Sequence, residues 1–494
     1  MHDSIPLRGS VRAPAAHRFL VVFWTLTLGL SVLAQSAPEA SVAAARDAGA
    51  TAAVVMPPVP VNRTPTPSTG RPTPTVALYF DPLQGTSSGD LVQRALSANA
   101  ELAAARLEIA RARARLRQAG LRPNPTIDFE QTTGRLTGSA GESETSVGVS
   151  LPLELGGRRG RRIELARAEL EAVEAEVAER ERRLTGEVLA AYAESLSTLR
   201  ELEITEGLTD LDVKTVVFVQ ARVSEGDTAP LELSLLQAEV ERLRSKRALV
   251  EGRLRSSLVR LKMLAGILPN EIVKLREDIN EPSLLLQPPT SMEAAVDIAL
   301  RTRPDLRLAR LNEEVAQAGL RLARSLGSPE AAAFTRYTQG RSSFDDTPVG
   351  VLNDRDKTLT FGVSVQIPVF NKNQGAKEEA AIAISQAKSR REFAEATVRA
   401  EVASAYARLE ASRAALLIFE QGVIARSNDN IRTIRAAYEI GAFRITDLLA
   451  EQRRLVDSQK DFTEALTERY RAMADLQLAI GAPVTGSPAA PDKE

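Results

Sequence analysis

Two stretches of the chain alternate between apolar and polar residues with a period of two. They are residues 147–153 and residues 359–369, where every second side chain is apolar. Successive side chains of a strand point to opposite faces, so the pattern predicts strands with one apolar and one polar face. A strand with a weaker pattern is predicted before each of these, at residues 126–134 and 332–339.

The other apolar positions recur at the spacing of α-helices. One helix is predicted before each pair of strands, and a much longer helix follows each pair, ending at a glycine before a return helix. A stretch of about 64 residues spans roughly 96 Å at about 1.5 Å per residue. The predicted segments are residues 90–120 and 291–325, the long helices at 161–224 and 376–440, and return helices ending near Gly266 and Gly481.

This order of elements occurs twice. Pro125 and Pro329 match at an offset of 204 positions, and Gly226 and Gly441 match at an offset of 215, with neighbouring residues repeated at the same offsets. Self-similarity at a constant offset indicates an internal duplication. The sequence therefore predicts a mainly α chain with a small β part, built from two repeats at residues 89–280 and 281–482 and joined by a proline-containing linker.

The N-terminal segment has the features of a secretory signal. Basic residues precede an apolar run at 19–33 and small residues follow it, so a signal peptide of residues 1–34 is predicted. The run is short for a bilayer span of about 20 residues, which disfavours an uncleaved anchor. Residues 35–88 are rich in Ala, Pro and Thr and are predicted to form a disordered leader, and residues 483–494 a disordered tail.

Charge and residue content argue against several classes of function. The chain has 63 Lys and Arg against 64 Asp and Glu, so it lacks the basic excess of a nucleic-acid-binding protein. It has no cysteine, and its histidines, His2 and His17, lie in the predicted signal peptide. The usual nucleophile–base pairs and soft metal ligands are therefore missing. We predict no enzymatic activity, no cofactor, no metal site and no nucleic-acid partner.

Secreted amphipathic strands are typical of the bacterial outer membrane. Inside lipid every backbone group must be paired, so membrane sheets close into barrels. Because such barrels start at about eight strands, a chain with four requires several copies. The alternative is a soluble sheet with a half-exposed apolar face, attached to a cytosolic coiled-coil rod.

The junctions between strand and long helix carry a resemblance to a known family. Their sequences are LPLELGGRR at residues 151–159 and IPVFNKNQG at residues 367–375. With the repeated order of elements over about residues 90–482, they resemble the TolC family of outer-membrane efflux proteins. The junctions are most similar to the cobalt-zinc-cadmium branch, which serves heavy-metal pumps of the resistance–nodulation–division type.

The resemblance implies an assembly and its partners. A homotrimer would contribute twelve strands to a transmembrane β-barrel, and its long hairpins would form an α-helical barrel extending from the outer membrane into the periplasm. The implied partners are outer-membrane lipid, a periplasmic adaptor protein and an inner-membrane resistance–nodulation–division pump. The implied activity is the export of divalent heavy-metal cations.

The resemblance places adaptor docking at the tips of the two helical hairpins. The matching residues are Gly226, Gly441, Ala442 and Phe443. Glycine also has a simpler role at these positions, because it lets the chain leave a helix in a left-handed conformation.

A gate is implied at the same tips, with candidates Glu232, Tyr438 and Asp447. A constricted ring of carboxylates favours cations. A first-turn acid also stabilises a helix N-terminus without any gating role. The chain departs from the family pattern at Ala450, where an acid is expected, and at Phe443, where a basic residue is expected.

Two further questions are left open by the sequence. The first concerns the four arginines after the first junction, Arg158, Arg159, Arg161 and Arg162. A glycine-rich, basic helix start is suited to bind phosphate, but no strand–loop–helix nucleotide motif surrounds this one. We therefore expect these side chains to lie near lipid head groups or on a solvated face, with binding of a phosphate-type substrate as the alternative. The alternative functions are a duct of the same architecture for drugs or other small molecules, and a periplasmic helical adaptor or structural rod.

Overall fold

The computed structural model describes residues 75–136, 142–280, 289–344 and 352–481. The predicted signal peptide, the leader up to residue 74, most of the linker between the repeats and the predicted tail lie outside these ranges. All helices and strands discussed below belong to the described residues.

Both repeats follow the predicted order of elements. The first contains α1 (Val76–Tyr79), α2 (Ser88–Ala98), α3 (Ala100–Ala119), β1 (Thr126–Thr133), β2 (Ser143–Leu153), α4 (Arg158–Glu225) and α5 (Pro230–Leu264). The second contains α6 (Met292–Thr302), α7 (Pro304–Ser325), β3 (Glu330–Phe344), β4 (Leu352–Gln366), α8 (Gln374–Ile418), α9 (Ile424–Glu439) and α10 (Ile445–Ile480). A π-helical turn, Phe419–Val423, joins α8 to α9. The prediction of two mainly helical repeats with a small β part is confirmed.

Each first helix of a repeat is divided in two, which corrects the prediction of one continuous helix. Asn99 separates α2 from α3: its Oδ1 accepts from the Leu102 N–H at 3.0 Å, and its Nδ2 donates to the Leu264 carbonyl at 3.0 Å. Arg303 separates α6 from α7 and has an extended backbone. The ring of Pro304 disfavours helical backbone at the residue before it, which explains the second break.

Residues 75–88 are folded, so the predicted leader boundary at residue 88 is wrong. Val76 and Tyr79 of α1 and the adjacent Phe80 pack against the largest buried cluster, and Phe80 forms a parallel bridge with Leu275. The composition of residues 35–88 did not reveal this folded segment, because a few apolar side chains are enough to attach a short segment to a neighbouring core.

The four strands form one antiparallel sheet in the order β1-β2-β3-β4. In one row across it, Phe129 lies opposite Val147, Val147 opposite Tyr337, and Tyr337 opposite Leu359. The side chains of this face are largely uncovered, with Phe129 71% exposed. Within the described ranges β1 and β4 each have a partner strand on one side alone. The sheet thus presents an apolar face and two open edges.

The strands differ in extent from their predictions. β3 is longer than the predicted 332–339, and β4 begins at Leu352 and ends at Gln366, before the predicted end at residue 369. Pro368 has no backbone N–H, so it cannot continue the ladder of hydrogen bonds.

Buried apolar clusters hold the helices together along their length. The largest joins α2, α4, α5 and α10 and contains the fully buried Tyr192 and Tyr470, whose ring centres are 6.4 Å apart. A second cluster joins α6, α8 and α10, and a third joins both hairpins at their tips. Among the described residues no helix is both long and apolar enough to cross a membrane.

Of the first two arginines after the first junction, Arg158 joins the two repeats, whereas Arg159 makes a contact within the first repeat. The buried Arg158 donates Nη2 to the Ser328 carbonyl at 2.6 Å and pairs Nη1 with Glu330 at 2.6 Å. Arg159 donates Nε to the Gly120 carbonyl at 2.7 Å. The expectation that these side chains contact head groups or solvent is therefore wrong for the buried Arg158, which donates hydrogen bonds to carbonyls left free after a helix end. Arg159 remains exposed.

Candidate functional site

Glycines turn the chain at the end of each hairpin. Gly226 follows α4 with φ 85°, and Gly441 follows α9 with φ 77°; both are left-handed conformations. Their N–H groups donate to the carbonyls of Val223 at 3.2 Å and Tyr438 at 3.0 Å. An added Cβ would meet no heavy atom within 4 Å at either position. The glycines are therefore required for backbone conformation, and the space beside them is open.

The two tips pack against each other through a buried apolar cluster, called the tip cluster below. Its members come from all four helices of the hairpins: Val219 of α4, Leu236 of α5, Tyr438 of α9, and Ile445, Leu448 and Leu449 of α10. Since side chains from both repeats are buried together, the position of one tip is coupled to that of the other.

Two of the gate candidates meet at the edge of the tip cluster. The Tyr438 hydroxyl donates to Glu232 Oε2 at 3.1 Å, which links α9 of one hairpin to the first turn of α5 of the other. Tyr438 is only 3% exposed, whereas Glu232 is half-buried. Burial of the ring and the neighbouring carboxylate raise the pKa of Tyr438 to about 12. The hydroxyl therefore stays protonated, and able to donate, at physiological pH.

The third gate candidate, Asp447, lies apart from this pair. Its carboxylate accepts from the Arg444 N–H at 3.1 Å, and its side chain is exposed at the start of α10. Within one chain its role is therefore the simpler one, in which an acid satisfies a free N–H at a helix start.

The candidate docking residues lie on the outside of the turns. Gly226, Gly441 and Ala442 are exposed, and Phe443 is 47% exposed. Ile440, which the resemblance did not single out, is 82% exposed beside them. The second tip therefore presents an uncovered apolar surface around a glycine turn.

Further contacts between the hairpins were not anticipated from the sequence. Arg222 of α4 donates to the Tyr438 carbonyl at 3.5 Å, Arg435 of α9 donates to Thr215 Oγ1 at 3.2 Å, and Gln452 of α10 donates to Asp212 Oδ1 at 2.8 Å. A signal was available: Asp212, Thr215, Val219 and Arg222 recur at intervals of three and four. Such intervals place them on one helix face. A search for apolar residues at helical spacing did not find this face, because most of these four residues are polar.

Comparison with known proteins decides the family. The sequence matches the family described as outer membrane efflux protein over residues 91–267 and 295–482, which is most of the chain and includes both tips. The chain belongs to this family. Membership confirms the predicted outer-membrane efflux function, so the chain is an efflux component rather than an enzyme.

The relatives of this outer membrane efflux protein support the same family assignment. It is 22% identical to the cobalt-zinc-cadmium resistance protein CzcC of Cupriavidus metallidurans, over 78% of this chain and 88% of that protein. It is 24% identical to outer membrane protein TolC of Vibrio cholerae, over 60% of this chain and 66% of that protein. A solved structure of CusC superposes with a TM-score of 0.66 at 21% identity, over 87% of this chain and 100% of that one.

Proposed function

We propose that three copies of this chain form a duct through the outer membrane. The observation that carries the proposal is the sheet, with its exposed apolar face and open edges. A lipid environment accommodates the apolar face, but it does not tolerate unpaired strand edges. Three copies would pair β4 of one chain with β1 of the next and close a barrel of twelve strands, whereas one sheet of four is too small. The long hairpins would then continue the duct into the periplasm.

In this proposal the tips form the periplasmic gate. The tip cluster and the contact between Tyr438 and Glu232 hold the two hairpins of each chain together, which supports a closed state with the hairpins packed. Asp447, exposed near the turn, is available to face its counterparts in the other copies, where three carboxylates would favour cations. Opening would separate the hairpins and break the Tyr438–Glu232 contact.

The tip surface is the proposed docking site for a periplasmic adaptor, which in turn would join an inner-membrane resistance–nodulation–division pump. Exposed apolar side chains beside a turn, such as Phe443 and Ile440, are suited to bury area against a partner. Gly226, Gly441 and Ala442 would allow close approach, because they carry little or no side chain.

Divalent heavy-metal cations are the proposed cargo. The support is the similarity to CzcC, a cobalt-zinc-cadmium resistance protein, along most of both chains. Selection of the cargo is assigned to the pump and adaptor, since a wide aqueous duct needs no tight ligand cage.

The assembly is tested first by light scattering on detergent-solubilised protein, corrected for bound detergent, and by conductance in planar bilayers. A trimer that conducts ions is expected. A monomer without conductance would overturn the duct and would favour a periplasmic rod instead.

The cargo is tested in a deletion strain of the host, exposed to cobalt, zinc and cadmium salts and to a panel of hydrophobic drugs. Sensitivity to the metals, restored by the wild-type gene, is expected. Sensitivity to drugs alone would refute the metal assignment and leave the duct intact. Complementation with Phe443→Glu tests docking, and the variant should assemble normally yet fail to restore tolerance. Ala425→Glu, a change at an exposed site of α9 that lies 16 residues before Gly441, should restore it.

A further inference from the structure

A buried carboxylate lies between the two hairpins, separate from the tip contacts described above. Asp212 of α4 is 2% exposed and accepts from Nε2 of Gln452 on α10 at 2.8 Å; Gln452 is itself 6% exposed. Asp212 precedes the turn at Gly226 by 14 residues, or about 21 Å along the helix. The pair therefore joins the repeats well above the tips.

Charged groups face Asp212 from each neighbouring helix. On α5, the buried Glu239 is paired with Arg242, whose Nε donates to it at 2.8 Å, and Glu239 also lies 3.6 Å from Arg453 of α10. On α9, Arg435 donates to Thr215. The cations nearest Asp212 thus bind other partners, and its own hydrogen-bond partner is an uncharged amide.

Burial raises the pKa of the Asp212 carboxyl above its ordinary value. The hydrogen bond from Gln452 opposes this effect, Glu239 adds to it, and the arginines at 435 and 242 oppose it. The direction is the one expected for an acid removed from water without a bound cation.

The two protonation states of Asp212 differ in what they do to the contact between α4 and α10. When ionised, the carboxylate is a buried charge beside another acid, Glu239, and the arginines at 435 and 242 offset this cost only in part. When protonated, it can donate to the amide oxygen of Gln452 while accepting from the amide nitrogen, because a neutral carboxyl group is both donor and acceptor. Protonation therefore strengthens the contact between the hairpins.

We infer that Asp212 and Gln452 form a proton-operated brace, which holds the two hairpins together when Asp212 is protonated and loosens them when it is ionised. The inference rests on the proposed function in that separation of the hairpins opens the duct. The direction of the pH dependence follows from linkage, because the packed state of the hairpins binds the proton of Asp212 more tightly than the separated state does. The packed state is therefore favoured as pH falls through the raised pKa of Asp212 and disfavoured at higher pH. Acidification should close the duct.

The test measures conductance of the full-length protein in planar bilayers from neutral to acidic pH. Wild-type conductance should fall on acidification, and a difference of one pKa unit between the packed and separated states corresponds to about a tenfold change in their ratio. Asp212→Asn places a neutral group of the same shape at the brace, so conductance should be low at neutral pH and insensitive to acid. Asp210→Asn, which removes an exposed acid of the same helix, should leave the wild-type profile unchanged.

A second measurement separates failure of the brace from failure of the duct. Amide hydrogen exchange of α4 around residues 205–219 should be slower in Asp212→Asn than in the wild type at neutral pH and equal in the two proteins at acidic pH. Gln452→Leu should abolish this difference. Equal exchange at neutral pH, or a wild-type conductance profile in Asp212→Asn, would overturn the brace, whereas absence of conductance in the wild type would overturn the duct alone.

Discussion

Replacing Tyr438 by Phe removes one hydroxyl group from the contact between the hairpins and leaves the ring in place. The ring is buried in the tip cluster, so its apolar contacts are retained. The hydroxyl donates to Glu232 at 3.1 Å, and this hydrogen bond is what the variant loses. The substitution thus isolates one polar link between α9 and α5.

The magnitude follows from the type of hydrogen bond. A bond from a neutral donor to a charged acceptor contributes about 1.5–3 kcal/mol. The lower end, about 1.5 kcal/mol, applies here because Glu232 is half-buried and water can replace the lost partner. Since about 1.4 kcal/mol is a factor of ten, the closed-to-open ratio should fall roughly tenfold if the bond is made in the closed state alone.

The assay is the open probability of single channels in planar bilayers at neutral pH, with trimer content checked by light scattering. Tyr406→Phe is the matched control, because it removes a tyrosine hydroxyl from α8 beside a different cluster. It should leave the open probability unchanged. An open probability of Tyr438→Phe equal to that of the wild type would refute the reasoning that this bond stabilises the closed state.

Two other substitutions test buried contacts, one within the second repeat and one between the two repeats. Arg303→Met removes a fully buried guanidinium that pairs with Asp305 and Glu401 at 2.6 Å each. The variant should be destabilised by about 2 kcal/mol. Its melting temperature should therefore be lower than that of Arg301→Met, a control at an exposed site. Gly156→Ala should lower the melting temperature more than Gly157→Ala does. Both glycines have a positive φ, but only at Gly156 would the new Cβ clash with a neighbour, since it would lie 2.4 Å from Ser328 Oγ. Equal decreases in melting temperature would show that backbone conformation alone determines the effect.

The secondary structure was largely predictable, since it depends on local periodicity. The alternation at 359–369 and the helical spacing of the long segments correctly predicted strands and helices, because side-chain periods of two and 3.6 are properties of the backbone itself. The same local rules would have located the break before Pro304. By contrast, the attachment of residues 75–88 depends on contacts with distant residues such as Leu275, and composition alone could not reveal it.

The candidate site was predictable in part. The family resemblance singled out Tyr438 and Glu232, and in the structure the two side chains form a hydrogen bond. That these two residues of different repeats pair with each other is decided by the tertiary structure. Asp447 was singled out in the same way, yet within one chain it only stabilises a helix start. The link between Asp212 and Gln452 was missed, because the helix face that carries Asp212, Thr215 and Arg222 has too few apolar residues to be recognised as buried by an apolar pattern.

The sequence by itself therefore determined the secondary-structure elements, their duplication and the class of protein, because amphipathic periodicity, internal repeats and junction motifs are local properties of the sequence. Only the tertiary structure decided which side chains of the two repeats meet. Residues 206 positions apart, such as Glu232 and Tyr438, come together when the hairpins pack, and whether a buried acid faces an arginine or an amide is settled at that point. That choice fixes the electrostatics of the contact, since a charge in a dry site is stabilised or destabilised by its immediate neighbours.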